Sequence, residues 1–202
     1  MIKMQHIIRE GHPSLTKVSE PVLLPLSKEN IELGKSLLTY VQMSQDEEMV
    51  KKYKLRPSVG LAAVQINQLK RMFAMHVEDF DGTLHSYIMI NPVIVGTSKE
   101  ETYLPGGEGC LSVDRPTEGL TPRHYAILVE GYHLDLESLT AKPIKLTLEG
   151  YPAIVFQHEY DHLNGIMFTT KLYPTLPKAF PLYETESESD ETDLESDSTK
   201  TE

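Results

Sequence analysis

Apolar positions recur at helical spacing near both ends of the chain and at strand spacing between them. Ser27 predicts a cap for a helix starting near Lys28, with Glu29 favourable in its first turn. Ile31, Leu38 and Val41 share one face of that helix, and Leu37 and Tyr40 widen the stripe. The helix is predicted to end before Pro57, because the residue before a proline avoids the α region. The middle of the chain reads as strands. Residues 71–77 form one, Asp81-Gly82 a turn, and Leu84 to Asn91 the return strand, closed by Pro92. Further strands are predicted at 94–97, 126–132 and 142–148, with 135–141 connecting the last two. A final helix opens at Tyr151-Pro152 and is capped by Gly165. Its residues Ile154, Val155, His158 and His162 share a broad face, able to pack on sheets while presenting two imidazoles.

That helix holds His158-Glu159-Tyr160-Asp161-His162, an H-E-x-x-H motif. Histidines at i and i+4 lie about one turn apart and can bind one metal ion, with Glu159 beside them as a general base. A catalytic centre of this kind usually takes a third protein ligand. No histidine follows His162, and the next acidic residue, Glu184, opens a low-complexity tail. The third ligand is therefore expected upstream. The single cysteine, Cys110, lies in Gly106-Gly107-Glu108-Gly109-Cys110-Leu111-Ser112. A thiolate is a strong transition-metal ligand, and glycines permit close backbone approach. The other six histidines have no metal-like spacing, although His124 beside Arg123 could lie near the site.

Three segments in order now resemble the peptide deformylase family. The first, usually Gly-x-Gly-x-Ala-Ala-x-Gln, reads Ser58-Val59-Gly60-Leu61-Ala62-Ala63-Val64-Gln65. Glu108 to Ser112 and Gln157 to His162 supply the second and third intact. The resemblance covers roughly residues 1–175. The long stretch before the first motif and the wording Cys110-Leu111-Ser112-Val113-Asp114-Arg115 are similar to the Gram-positive type 2 subgroup. Ser58 replaces the usual first glycine, and Val64 stands where proline is common.

The resemblance implies an α+β fold in which antiparallel β-sheets enclose the central metal-binding helix, with an N-terminal helix besides. It implies removal of the formyl group from peptides that begin with formylmethionine. Cys110, His158 and His162 would ligate Fe(2+), with Zn(2+) or Ni(2+) as substitutes; ligand type alone would favour zinc. Glu159 would move the proton. The Gln65 amide and the Leu111 backbone N–H would stabilise the oxyanion. Val59, Ile154 and Val155, with Tyr151, would line a slot for the methionine side chain, and Gly60 would offer backbone hydrogen bonds. Arg123 and Asp161 would form a supporting pair behind the ligands. The expected partners are N-formylmethionyl nascent peptides and, transiently, the ribosome.

Charge divides the chain. The net charge is −11, of which Glu184–Glu202, with nine acidic residues and one lysine, contributes −8. Like-charge repulsion and low hydrophobicity predict a disordered acidic tail over 184–202, after a catalytic domain over 1–183. The mildly acidic body lacks a basic stripe, which disfavours sequence-specific nucleic-acid binding. No apolar run is long enough to span a membrane, and the N-terminus lacks a signal-peptide h-region. A lone cysteine suits a reducing cytoplasm. A zinc endopeptidase would not explain Glu108 to Ser112, and a mere metal-binding module would need neither Glu159 nor Gln65.

Overall fold

The computed structural model describes residues 1–184, so the predicted tail lies, from residue 185 on, outside the described residues. Three α-helices, α1 (Lys28–Met43), α2 (Glu47–Tyr53) and α3 (Gly150–Leu163), accompany eight strands. The strands are β1 (Gly60–Ala62), β2 (Met72–Glu78), β3 (Leu84–Thr97), β4 (Glu101–Tyr103), β5 (Arg123–His124), β6 (Ala126–Asp135), β7 (Thr140–Glu149) and β8 (Phe180–Pro181). An antiparallel sheet of order β1-β2-β3-β6-β7 forms the main layer. A small sheet, β5-β4-β8, pairs β4 with β5 antiparallel and with β8 in parallel. The expected α+β architecture is present.

β2 explains how the layers stack. Its residues Met72 to Met75 are all fully buried, because both faces of the sheet are covered. Met72 and Ala74 face a core shared with Leu37, Leu38 and Val41 of α1. Phe73, Met75 and Val77 face a second core shared with Ala153, Val155 and Phe156 of α3. Alternate side chains of one strand thus join two cores. Eleven of the fourteen α3 residues are buried, and Phe156 meets Phe73 edge-on at 5.0 Å between ring centroids. The metal-motif helix is an interior element, held between the large sheet and β5.

Two predicted elements differ. The first helix ends before Pro57, as expected, but well short of it. It stops at Met43, and α2 follows after a three-residue break. Asp46 causes the restart: its carboxylate accepts the Met49 N–H at 3.0 Å, and Glu47 and Glu48 sit favourably in the new first turn. The strand expected to close at Pro92 continues to Thr97 as the single strand β3. Asn91 adopts φ +49° beside a register shift, and such a bulge accommodates a proline inside a strand. The Asn91 side chain secures the bulge through paired 2.8 Å bonds with the Val22 backbone. β6 and β7 run longer than expected, so only residues 136–139 connect them.

Candidate metal centre

α3 begins where β7 ends, with Gly150 at φ +59° and Pro152 in its first turn. It ends in a Schellman motif: Gly165 donates to the His162 carbonyl and Ile166 to the Asp161 carbonyl, with Gly165 at φ +70°. This fixes the register of His158 and His162, whose rings meet edge-on at 5.0 Å. The loop from Gly106 to Val113 brings Cys110 against them, with Sγ 3.3 Å from His162 Nε2. The atoms with which Cys110, His158 and His162 could hold a metal ion all lie within 4.8 Å of one another.

Arg56, which the sequence did not single out, holds this loop from the other side. Its guanidinium donates to the carbonyls of Cys110 at 3.2 Å, Val113 at 3.3 Å and Leu111 at 3.4 Å. Glu108 had no assigned role within its motif. It accepts from His158 Nδ1 at 2.8 Å, which leaves Nε2 of that ring for a ligand. Arg123 grips Glu108 in a fork of 2.7 and 2.8 Å and reaches Asp161 at 2.5 Å. Lys171 closes the array with bonds of 2.9 and 2.8 Å to both Asp161 oxygens. Nothing local in the sequence links positions 108, 123 and 158; only the fold does. His124 is not part of the cluster. It turns to the Ser98 carbonyl, and Gln157 fastens its backbone to α3.

The electrostatics follow from burial and pairing. Burial alone would raise Glu108, but Arg123 and His158 outweigh it and hold the carboxyl at about 2. Burial would likewise raise the Cys110 thiol, yet the two imidazoles pull it well below its ordinary value. Glu159 behaves oppositely: burial pushes it up to about 7, against the pull of the two histidines. Its Oε2 and the Nδ1 of His162 are buried without a hydrogen-bond partner among the described residues. The carboxyl packs directly on Gly60, where an added Cβ would lie 2.7 Å from Glu159 Cδ. A depressed thiol and two imidazoles, one oriented by a carboxylate, suit a borderline-soft transition metal.

A groove of about 330 Å³ opens over this set. Val59, Tyr151, Ile154 and Val155 line its apolar part, and Gln65, Leu111 and Glu159 its polar end. Gln65 has a defined amide orientation. Its oxygen accepts the Ala62 N–H at 2.9 Å, so its NH2 faces Cys110 Sγ at 3.4 Å and Ser112 Oγ at 3.3 Å. Among the described residues β1 pairs only with β2, and it leaves its other edge toward the groove. Ser58 takes no left-handed conformation, so serine in place of the usual glycine is unstrained.

A thiol–imidazole–imidazole set beneath a groove with an open strand edge, and with a high-pKa carboxyl beside it, has the makings of a metal-dependent hydrolase acting on extended peptides. The comparisons agree. The polypeptide deformylase family matches residues 4–177, and the chain belongs to that family. It is 55% identical over 181 residues to peptide deformylase 2 of Geobacillus stearothermophilus, covering 90% of this chain and 96% of the relative. It is 48% identical over 187 residues to peptide deformylase 2 of Bacillus subtilis (strain 168), covering 93% and 97%. Among solved structures, a probable peptide deformylase from synechococcus phage S-SSM7 superposes with a TM-score of 0.64 at 30% identity, covering 82% of this chain and 98% of that one. The Met-Ala-Ser-bound class I type b peptide deformylase of Acinetobacter baumannii gives 0.63 at 25% identity, covering 82% and 96%. No helix among the described residues is long and apolar enough to cross a membrane.

Proposed function

We propose that this protein hydrolyses the formamide at the N-terminus of peptides that begin with formylmethionine. Water adds to the formyl carbon, the C–N bond breaks, and formate and a free amino terminus leave. Family membership supports the reaction. The observation that supports this site for it is the unpaired, buried Glu159 carboxyl beside the Cys110, His158 and His162 set.

Cys110, His158 and His162 would hold one metal ion, which when bound polarises a water and lowers its pKa. Fe(2+) is our assignment, on the resemblance to the family, with Zn(2+) or Ni(2+) as substitutes; site affinity does not decide occupancy in a cell. Glu159 takes the proton from the attacking water and delivers it to the amine nitrogen as that bond breaks. Gln65 Nε2 and the Leu111 N–H donate to the oxyanion as it develops. Gln65 needs no reorganisation, since the Ala62 N–H already fixes its amide. Val59, Tyr151, Ile154 and Val155 receive the methionine side chain, and Gly60 binds the substrate main chain through its backbone. The relative solved with Met-Ala-Ser supports a groove that takes peptides starting with methionine. Arg123 and Asp161 keep α3 and Glu108 in place. Nascent chains at the ribosome, in the cytoplasm, are the proposed substrates, and residues 1–183 the proposed catalytic unit.

The deciding experiment is anaerobic purification with Fe(2+), then formate release from formyl-Met-Ala-Ser. Formate released by the Fe(2+) form, abolished by chelation and restored by the ion, is the expected result. A fully metallated protein that releases none overturns the proposal.

A further inference from the structure

The open edge of β1 is not bare. In an antiparallel strand the N–H and C=O of one residue point to the same side, and successive residues alternate. The Val59 carbonyl accepts from His76 of β2, so the Gly60 N–H and C=O face away from β2, along the groove. There the Ser58 hydroxyl donates to the Gly60 carbonyl at 2.5 Å and lies 3.4 Å from the Gly60 N–H. A single oxygen within reach of both groups stands where a residue of an added strand would stand. The next outward-facing N–H, that of Ala62, is taken by Gln65. Ser58 is one of the two departures from the family motif, and a glycine there could not supply this hydroxyl.

The surrounding bonds leave only the side chain free to move. The Ser58 N–H donates to Ser44 Oγ at 3.1 Å. Its carbonyl accepts from Gln45 Nε2 at 3.0 Å, and Gln45 also donates to the His76 carbonyl at 2.7 Å. These bonds tie the Ser58 backbone to the α1–α2 junction and to β2. One χ1 rotation can therefore withdraw the hydroxyl without moving the strand.

We infer that Ser58 sets the affinity of the groove for peptides, its hydroxyl occupying the Gly60 edge that a substrate main chain must take. The inference rests on the reading of Gly60 as a substrate-binding residue. Binding then exchanges one hydrogen bond for another, and apparent affinity falls by the fraction of molecules in which the edge is free. Chemistry after binding is untouched, because Ser58 does not reach Glu159 or the ligand set.

The test is steady-state formate release from formyl-Met-Ala-Ser by the Fe(2+) enzyme and three variants. Ser58→Ala and Ser58→Gly should lower KM by about 3- to 10-fold, the scale of one neutral hydrogen bond, with kcat within twofold. Ser58→Thr keeps the hydroxyl and should keep the wild-type KM. A merely structural role would lower kcat as well and would not lower KM. Unchanged or raised KM in the alanine and glycine variants overturns the inference, as does a threonine variant that behaves like them. A metallated wild type that releases no formate overturns the proposed function instead.

Discussion

Glu159 and Gly60 show how the site constrains single residues. The carboxyl lies so close to Gly60 that any side chain there would collide with it, and burial is the largest cause that raises its pKa, with the Cys110 and Glu108 charges adding to it. Glu159→Ala should retain one ion per chain while kcat/KM falls by about 10² or more, the scale for losing a general base. Metal content and formate release, measured on one preparation, decide this; activity within a few-fold of wild type would remove Glu159 from the mechanism. Glu108 makes a different prediction. Its folded pKa, about 2, lies below the unfolded value near 4.5. Its contribution is therefore complete above pH 4.5 and is lost as pH falls toward 2. The loss should be on the order of 3 kcal/mol. Urea unfolding of chelated protein should show that slope, and Glu108→Gln should flatten it. An equally steep slope in the variant would assign the acid sensitivity to other groups.

At the scale of elements, the end of α3 is set by backbone geometry. Gly165 combines φ +70° with a close approach: an added Cβ would lie 2.6 Å from the Thr16 carbonyl carbon. Gly165→Ala should cost about 2 kcal/mol or more, since left-handed strain adds to a collision with rigid backbone. Gly82 has φ +84° and open space around it, so Gly82→Ala should cost only about 1 kcal/mol. Equal costs in denaturant titrations would show that the Thr16 contact is immaterial. This helix was legible in the sequence because its signals are local: proline in the first turn, the i, i+4 histidines, glycine at the end. The break after Met43 was less legible, since the apolar stripe of α1 does not itself mark a stop and Asp46 acts only as a cap. β4, β5 and β8 were not legible at all. Two or three residues show no periodicity, and long-range pairing alone makes them strands. In the site, spacing exposed the two histidines and glycine context the cysteine. Arg56 and the Glu108–Arg123 fork stayed hidden because their partners lie 15 to 57 residues away.

For the whole molecule, the question is where the working unit ends. The family match stops at residue 177, but the described chain continues to pack. Thr102 Oγ1 donates to the Phe180 carbonyl at 2.9 Å, the Leu182 N–H donates to the Tyr103 carbonyl at 2.9 Å, and Tyr183 meets Phe80 edge-on at 6.0 Å. The small sheet that holds Arg123 therefore includes β8. Beyond it the sequence holds nine acidic residues against one lysine and little that could enter a core. A chain cut after Tyr183 should fold, bind its ion and release formate from formyl-Met-Ala-Ser at near wild-type kcat/KM. A chain cut after Lys178 loses β8 and should melt at a lower temperature, because β4 keeps only β5 as a partner. On ribosome-bound substrates the cut after Tyr183 should be neutral or helpful. It removes −8 of charge that repels the phosphates a nascent-chain enzyme must approach, and any gain should fade as salt rises. Loss of metal or of most short-peptide activity on cutting after Tyr183 would place part of the acidic segment inside the catalytic unit.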